Sequence, residues 1–240
     1  MKDRVAIVTG AAGKGIGRST ALTLCREGAK VVVNYRDSVE SAESVVSAIR
    51  AKGGEASAYQ ADVTNAEDCK RLVDYTMGLH GRVDSLVIGP GAGWHPEPLD
   101  KLSGEDALAD CIAETAPFCH LVPLVSGSMK TQGGGRIVGV GVNLARPSPS
   151  VAYNAAKGAR SAYFGQSWSA LWGYGITMNL VCPGPVGEIA TLEEAVSLAY
   201  EIPAARQRGT VTPQDVAETI AFLASDRASF VTGAQVPLMF

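Results

Sequence analysis

Residues 5–17 read Val-Ala-Ile-Val-Thr-Gly-Ala-Ala-Gly-Lys-Gly-Ile-Gly. The run 5–9 is short, apolar and closed by glycine, the pattern of a parallel strand buried on both faces. From Ile16 to Glu27 the apolar residues recur at helical spacing, and Gly28 supplies the stop. The stretch therefore predicts a strand, a glycine turn and a helix. Gly10, Gly13, Gly15 and Gly17 let the backbone turn sharply and come close to a bound group. The helix N-terminus adds N–H donors and a positive dipole end. That combination suits a pyrophosphate, so the turn predicts a dinucleotide site. Ile16 and Gly17 stand where a Walker phosphate loop needs Lys and Ser/Thr, which excludes that class.

Outward from this unit the hydrophobic period keeps switching between two and 3.6. Strands are predicted over 30–35, 56–60, 83–88, 136–142, 176–181 and 234–238. Helices are predicted over 38–52, from an Asn65 cap to about 80, and over 103–130, 151–174 and 212–224. Pro117 and Pro123 are expected to kink or interrupt the third of these. There is no repeat, linker or low-complexity tract. The expected architecture is one α/β domain over 1–240, a Rossmann-type doubly wound parallel sheet of about seven strands with helices on both faces.

Composition narrows the partners. Of 240 residues 46% are hydrophobic and 19% charged, with a net charge of −3 and no block of like charge. That argues against nucleic acid or an anionic membrane as partner and for a small molecule. Cys25, Cys69, Cys111, Cys119 and Cys182 are odd in number and form no CxxC pair, which reads as reduced thiols. Cys111, Cys119 and His120 match no zinc spacing, so no metal is expected. The N-terminus runs straight into a strand without a signal segment, and no apolar run approaches the ~18 residues of a membrane span. A cytoplasmic protein is expected.

Four motifs occur in a fixed order: Thr9-Gly10…Gly15-Ile16-Gly17, Asp62-Val63-Thr64, Tyr153-Asn-Ala-Ala-Lys157 and Asn179…Pro183-Gly184. Together, over essentially the whole chain, they resemble the short-chain dehydrogenase/reductase family, most closely its 3-oxoacyl-[acyl-carrier-protein] reductase branch. The resemblance implies a nicotinamide cofactor and a homo-oligomer, tetramer or dimer. It implies that Asp62 accepts from the adenine amino group beside Val63, and that Gly89, Pro183, Gly184 and Val186 lie along the cofactor. The first two glycines, 10 and 15, carry one residue more between them than the usual motif. Lys14 is thereby pushed toward a 2′-phosphate, and Gly13 is an alternative turning residue.

An acidic side chain ending the second strand would bind a ribose 2′-OH and repel a 2′-phosphate. This chain has Asn34-Tyr35-Arg36 there, and an arginine suits phosphate. NADP(H) is the expected cofactor, with NAD(H) the alternative and Asp37 nearby but late.

Tyr153 and Lys157 are four apart at the start of a predicted helix and share a face. An ammonium near a phenol favours the phenolate, so Lys157 is expected to lower the Tyr153 pKa and make it an acid/base. By resemblance, Tyr153 protonates a carbonyl oxygen and Lys157 also holds the nicotinamide ribose. The family's serine falls on Val142, or on Gly141 if the register slips, and its asparagine on Ala113; none can do that work. Asn143, Ser148 and Ser150 are candidate displaced donors, Trp94 and His95 candidate ligand contacts. Residues 187–207 are expected to form a mobile substrate lid with Pro203 and Gly209 at its boundaries. The expected activity is reduction of a carbonyl, with a bulky or acyl-type substrate as one candidate. The alternative is non-redox chemistry (isomerase, cyclase or dehydratase) or absent catalysis.

Overall fold

The computed structural model describes residues 1–89, 91, 97–143, 150–201 and 211–238. The strands are β1 (Val5–Val8), β2 (Lys30–Tyr35), β3 (Ala56–Gln60), β4 (Ser85–Ile88), β5 (Gly135–Val140), β6 (Ile176–Pro183) and β7 (Gln235–Leu238). They form one seven-stranded sheet, all parallel, in the order β3-β2-β1-β4-β5-β6-β7. The helices are α1 (Ile16–Arg26), α2 (Val39–Ala51), α3 (Ala66–His80), α4 (Gly104–Thr131), α5 (Val151–Ser167), α6 (Ser169–Trp172), α7 (Leu192–Glu201) and α8 (Pro213–Leu223).

Alternation along the strands sorts the apolar side chains into two cores. Ala6, Val8, Val31 and Val33 face the layer of α1, α2, α7 and α8, packing with Leu22, Val45, Ala195 and Ile220. Ile7, Val32, Leu86 and Ile88 face the other layer, packing with Leu72, Phe118, Leu121 and Phe164. This is the doubly wound Rossmann-type sheet that the sequence predicts. Chain order reverses at β1, which lies between β2 and β4. In such sheets the crevice outside the carboxyl ends at that reversal receives the ligand.

Helix signals landed close to their mark. Asn65 caps α3 by accepting from the Glu67 and Asp68 N–H groups, and Thr212 with Asp215 forms a capping box on α8. Two expectations need correction. α4 is not interrupted, and Pro117 and Pro123 lie inside it. The helix expected over 151–174 divides at Trp168 into α5 and α6. The stretch expected as a lid contains α7, and just before that helix the Arg18 Nη2 of α1 donates to the Ile189 carbonyl at 2.9 Å. Positions 203 and 209 lie outside the described residues.

α4 is also, among the described residues, the helix long and apolar enough to cross a membrane by length and composition. Sequence reading found no such run. Here its apolar stripe of Phe118, Leu121, Val125 and Met129 covers the sheet instead.

Candidate active site

The chain leaves β1 through Gly10, whose φ of +61° strains any residue with a side chain. The Ala11 N–H donates to the Asn34 carbonyl at 2.9 Å and the Gly10 N–H to Asn34 Oδ1 at 3.3 Å. Asn34 Nδ2 in turn donates to the Ala61 carbonyl at 3.0 Å. One buried amide thus ties the turn to the ends of β2 and β3. Gly17 packs on the turn from below, and a Cβ there would run into the Gly10 carbonyl oxygen. Gly13 does not take the turning role: its φ is not in the left-handed range, and a Cβ there would have its nearest neighbour at 4.0 Å.

Gly15 caps α1 without a side-chain hydrogen bond, which leaves the N–H groups of the first turn for another acceptor. A cavity of ≈ 330 Å³ opens here. It brings together Gly10 and Gly13 from the turn, Tyr35 at the end of β2 and Arg36 just after it, Asp62 and Val63 after β3, and Gly89 after β4. The uncapped helix end and the side-chain-free turn fit a diphosphate.

Around the cavity rim the charges are partly committed. The Arg36 Nε donates to Asp37 Oδ2 at 2.8 Å, and both side chains are exposed. Asp62 is not a helix cap: its Oδ1 accepts from the Thr64 N–H and Oγ1 at 2.9 and 2.7 Å. Burial works to raise its pKa, but these bonds and the Arg36 charge outweigh that and hold it below the ordinary aspartate value. Lys14 is exposed, and its carbonyl accepts from Arg18 at 3.4 Å. A larger cavity of ≈ 650 Å³ lies at the opposite end of the strands. There the Arg4–Asp84 and Arg136–Asp226 pairs, 2.9 and 3.2 Å, neutralise one another.

The second part of the site hangs from α5. Tyr153 and Lys157 share a face as expected, with the Lys157 Nζ 5.0 Å from the centre of the phenol ring. Beneath them are two groups that sequence reading missed. Glu114 of α4 and Arg160 of α5 are both fully buried. Glu114 Oε2 accepts from Lys157 Nζ at 2.8 Å and pairs with Arg160 Nη2 at 2.5 Å. The Glu114 carbonyl accepts from Arg160 Nε and Nη2, both at 3.1 Å. The remaining nitrogen, Nη1, donates to the carbonyls of Val140 and, at 3.3 Å, Gly89. Arg160 also lines the cavity beside the glycine turn, so it joins the two parts of the site.

Electrostatics here depart from expectation. Burial, then the Arg160 charge, pull the Lys157 ammonium down to about 8 while Glu114 opposes them. Burial, then Glu114, push the Tyr153 phenol up, and Arg160 opposes. The sequence predicted a lowered tyrosine. In this arrangement the lysine charge is paired with Glu114, so burial decides the direction.

With the geometry in place, the chain can be set beside known proteins. A family model described as enoyl-(acyl carrier protein) reductase matches residues 10–238. The cyclohexanol dehydrogenase of a Rhodococcus species is 34% identical, with 99% of this chain and 95% of that one covered. The 3-oxoacyl-[acyl-carrier-protein] reductase of a Synechocystis species is 37% identical, covering 96% and 93%. Among solved structures, 7α-hydroxysteroid dehydrogenase complexed with NADH and 7-oxo glycochenodeoxycholic acid superposes with a TM-score of 0.85. It is 28% identical, over 99% of this chain and 93% of that one. The protein belongs to the short-chain dehydrogenase/reductase family.

Within this short-chain dehydrogenase/reductase, the position on α4 that faces Lys157 is Glu114 and not Ala113. One residue turns a helix by about 100°, and Ala113 lines the cofactor cavity instead. Gly141 has no room for a side chain, since a Cβ would lie 2.6 Å from Leu180 Cδ2. Val142 follows it, half-buried, between the backbone bonds of Gly141 to Val181 at 2.7 Å and Asn143 to Pro183 at 3.3 Å. Ser150 is the N-cap of α5, its Oγ accepting from the Tyr153 N–H at 3.2 Å.

Past β6, the Gly184 N–H bonds the Leu238 carbonyl at 2.9 Å, and Val186 bridges to Val211. These two, with Pro183, sit at the carboxyl end of the sheet, outside the cavity lined by Gly10. Trp94, His95 and Ser148 lie outside the described residues.

A signal for the missed pair does exist in the sequence. Asp110, Glu114, Phe118 and Leu121 follow helical spacing, as do Ala152, Ala156, Arg160 and Phe164. A carboxylate on the apolar stripe of one helix and a guanidinium on that of its neighbour point to a buried ion pair.

Proposed function

We propose that the protein is a single-domain, cytoplasmic, homo-oligomeric NADP(H)-dependent carbonyl reductase. The observation that carries this is the Tyr153–Lys157 pair joined through Arg160 to the glycine cavity. The residues of that cavity would hold a reduced nicotinamide cofactor, whose chemistry would be hydride supply to a carbonyl carbon. Tyr153 gives its proton to the carbonyl oxygen, so the product is the alcohol. Lys157 stabilises the phenolate that remains, and solvent returns the proton. Gly10, Gly13, Gly15, Ile16 and Gly17 would hold the diphosphate, Asp62 and Val63 the adenine. Lys157 with Pro183, Gly184 and Val186 would hold the nicotinamide end. Arg36, with Lys14 in reserve, favours a 2′-phosphate, because no carboxylate ends β2.

The relatives named above are a cyclohexanol dehydrogenase and a 3-oxoacyl-[acyl-carrier-protein] reductase, and the solved neighbour is complexed with 7-oxo glycochenodeoxycholic acid. A bulky ring or acyl ketone is therefore the substrate class to test. Purified protein should oxidise NADPH in step with alcohol formation on a panel of such ketones. Tyr153→Phe should lower kcat/KM by about 10²–10⁴-fold while NADPH binding survives. Product formation without NADPH oxidation would replace this reading with non-redox chemistry on the same phenol. The oligomer is checked by sedimentation.

A further inference from the structure

Lys157 and Arg160 are two cations on one buried helix face, less than a turn apart, and both are shielded from water. Left alone they would repel at low dielectric, and the weaker base would lose its proton. Glu114 stands between them, a single oxygen contacting both. The commitments of the two cations differ. Arg160 is bound into the frame through the carbonyls of Glu114, Gly89 and Val140, at the ends of β4 and β5. For Lys157 the Glu114 carboxylate is the hydrogen-bond partner among the described residues, and the Tyr153 ring is the other contact. The second carboxylate oxygen, Oε1, is buried with no hydrogen-bond partner among the described residues. It lies against Gly91, where a Cβ would overlap it.

We propose that Glu114 is the counter-ion of Lys157: a positioning residue on α4 that holds the lysine beside Tyr153 and lets the arginine pillar and the catalytic ammonium coexist. Its activity arm rests on the reading of Tyr153 and Lys157 given above; its stability arm does not. The other groups packed on the lysine do not supply this charge. On α5 they are Tyr153 and Arg160. On β6 it is Cys182, whose thiol burial pushes up to about 11. On α4 Asp110 lies a turn before Glu114 on the same buried face. Between the two cations the bridging carboxylate is that of Glu114.

Two variants move the lysine in opposite directions. Glu114→Gln keeps the volume and removes the charge, so the Lys157 pKa falls further. Arg160→Met removes the repelling cation and leaves a one-to-one pair, so it rises. In carbonyl reduction, the alkaline limb of the kcat/KM profile should move down by about one pH unit or more in Glu114→Gln and up in Arg160→Met. A purely structural role would lower both rates without shifts of opposite sign.

The stability arm needs no substrate. A lysine whose folded pKa is depressed destabilises the fold at low pH, where the unfolded chain binds the extra proton. That loss vanishes as pH rises through the folded and then the unfolded value. Glu114 offsets part of it below about 8, the pKa of Lys157. In urea unfolding, the ratio of variant to wild-type unfolding constants for Glu114→Gln should thus be about tenfold larger at pH 6 than at pH 9. If that ratio is the same at both pH values, or if the two limbs shift together, the proposal is overturned. If Glu114→Gln does not fold, the upward limb shift of Arg160→Met decides, and its absence overturns the proposal. A pH-dependent ratio in an enzyme without reductase activity would leave the ion cluster standing and remove the proposed function instead.

Discussion

The glycine turn after β1 is built within one short stretch, Gly10 to Gly17, and it works with backbone: N–H groups, an uncapped helix end and the absence of side chains. The cluster below Tyr153 joins Glu114 to Lys157 across 43 positions and works with buried charge. The two parts sit at the same edge of the same sheet and meet at Arg160. Backbone sites tolerate almost any neighbouring side chain but no added Cβ at their tight points. Charge clusters tolerate shape changes poorly and charge changes worse, because each unpaired ion is left in a dry interior. The comparison therefore predicts different kinds of damage at the two places.

The largest effect on cofactor binding is expected in the backbone part. In Gly17→Ala the new methyl meets the Gly10 carbonyl, a backbone atom that cannot swing aside. The turn must open, and NADPH affinity should fall by about 10²-fold, with a loss of stability typical of overpacking, about 1–3 kcal/mol. Gly13→Ala meets nothing closer than 4.0 Å within the protein, so its melting temperature should hold. Any loss of binding there reports the ligand alone. Calorimetric titration with NADPH and thermal melts on both variants separate these cases. Equal NADPH affinity in Gly17→Ala and wild type would show that the turn is not the diphosphate cradle.

The same contrast explains what could be read from sequence. Strand, turn and helix around Gly10 are local, so each is announced by its own residues: the apolar run, the glycines, the Gly28 stop. Tyr153 and Lys157 are legible because they lie on one helical face. Glu114 and Arg160 were not, because the reading went to Ala113 by motif matching, and a slip of one residue on a helix changes the face. Only the apolar stripe of α4, interrupted by a carboxylate, carried the information, and it needed the stripe of α5 beside it to be understood. α7 was missed for a similar reason. Its sequence, Leu192 to Glu201, is apolar at helical spacing, but a resemblance that expects a lid draws attention from the periodicity.

A second test sharpens the catalytic part. On the proposed reading Tyr153 is the acid beside Lys157, and among the described residues that close and directly follow β5, Val140 to Asn143, none carries a hydroxyl. Val142 follows the strand, whereas Gly141 has no space for a side chain. Val142→Ser should therefore restore a donor toward the developing oxyanion and raise kcat/KM about tenfold. That is less than the ~10²–10³ a preorganised donor is worth, because nothing around it has been shaped to hold it. Steady-state kinetics on the ketone panel measure this gain. An unchanged rate would mean that the oxyanion is held from another direction.

The smallest effect lies at the rim, where backbone and charge act together. Arg36 faces the cavity but is 57% exposed and already bonded to Asp37. Exposed ion pairs are screened by solvent, so its hold on a 2′-phosphate is modest. Arg36→Ala should weaken NADPH binding about fivefold at low salt and leave NADH unchanged, and the difference should shrink as ionic strength rises. Asp37→Asn should act in the opposite sense, since it frees the guanidinium and removes a competing negative charge. If Arg36→Ala weakens NADH as much as NADPH, the arginine shapes the cavity wall and does not read the phosphate. The cofactor preference would then have to come from Lys14, whose exposed ammonium has no hydrogen-bond or ion-pair partner among the described residues and can turn toward the same place.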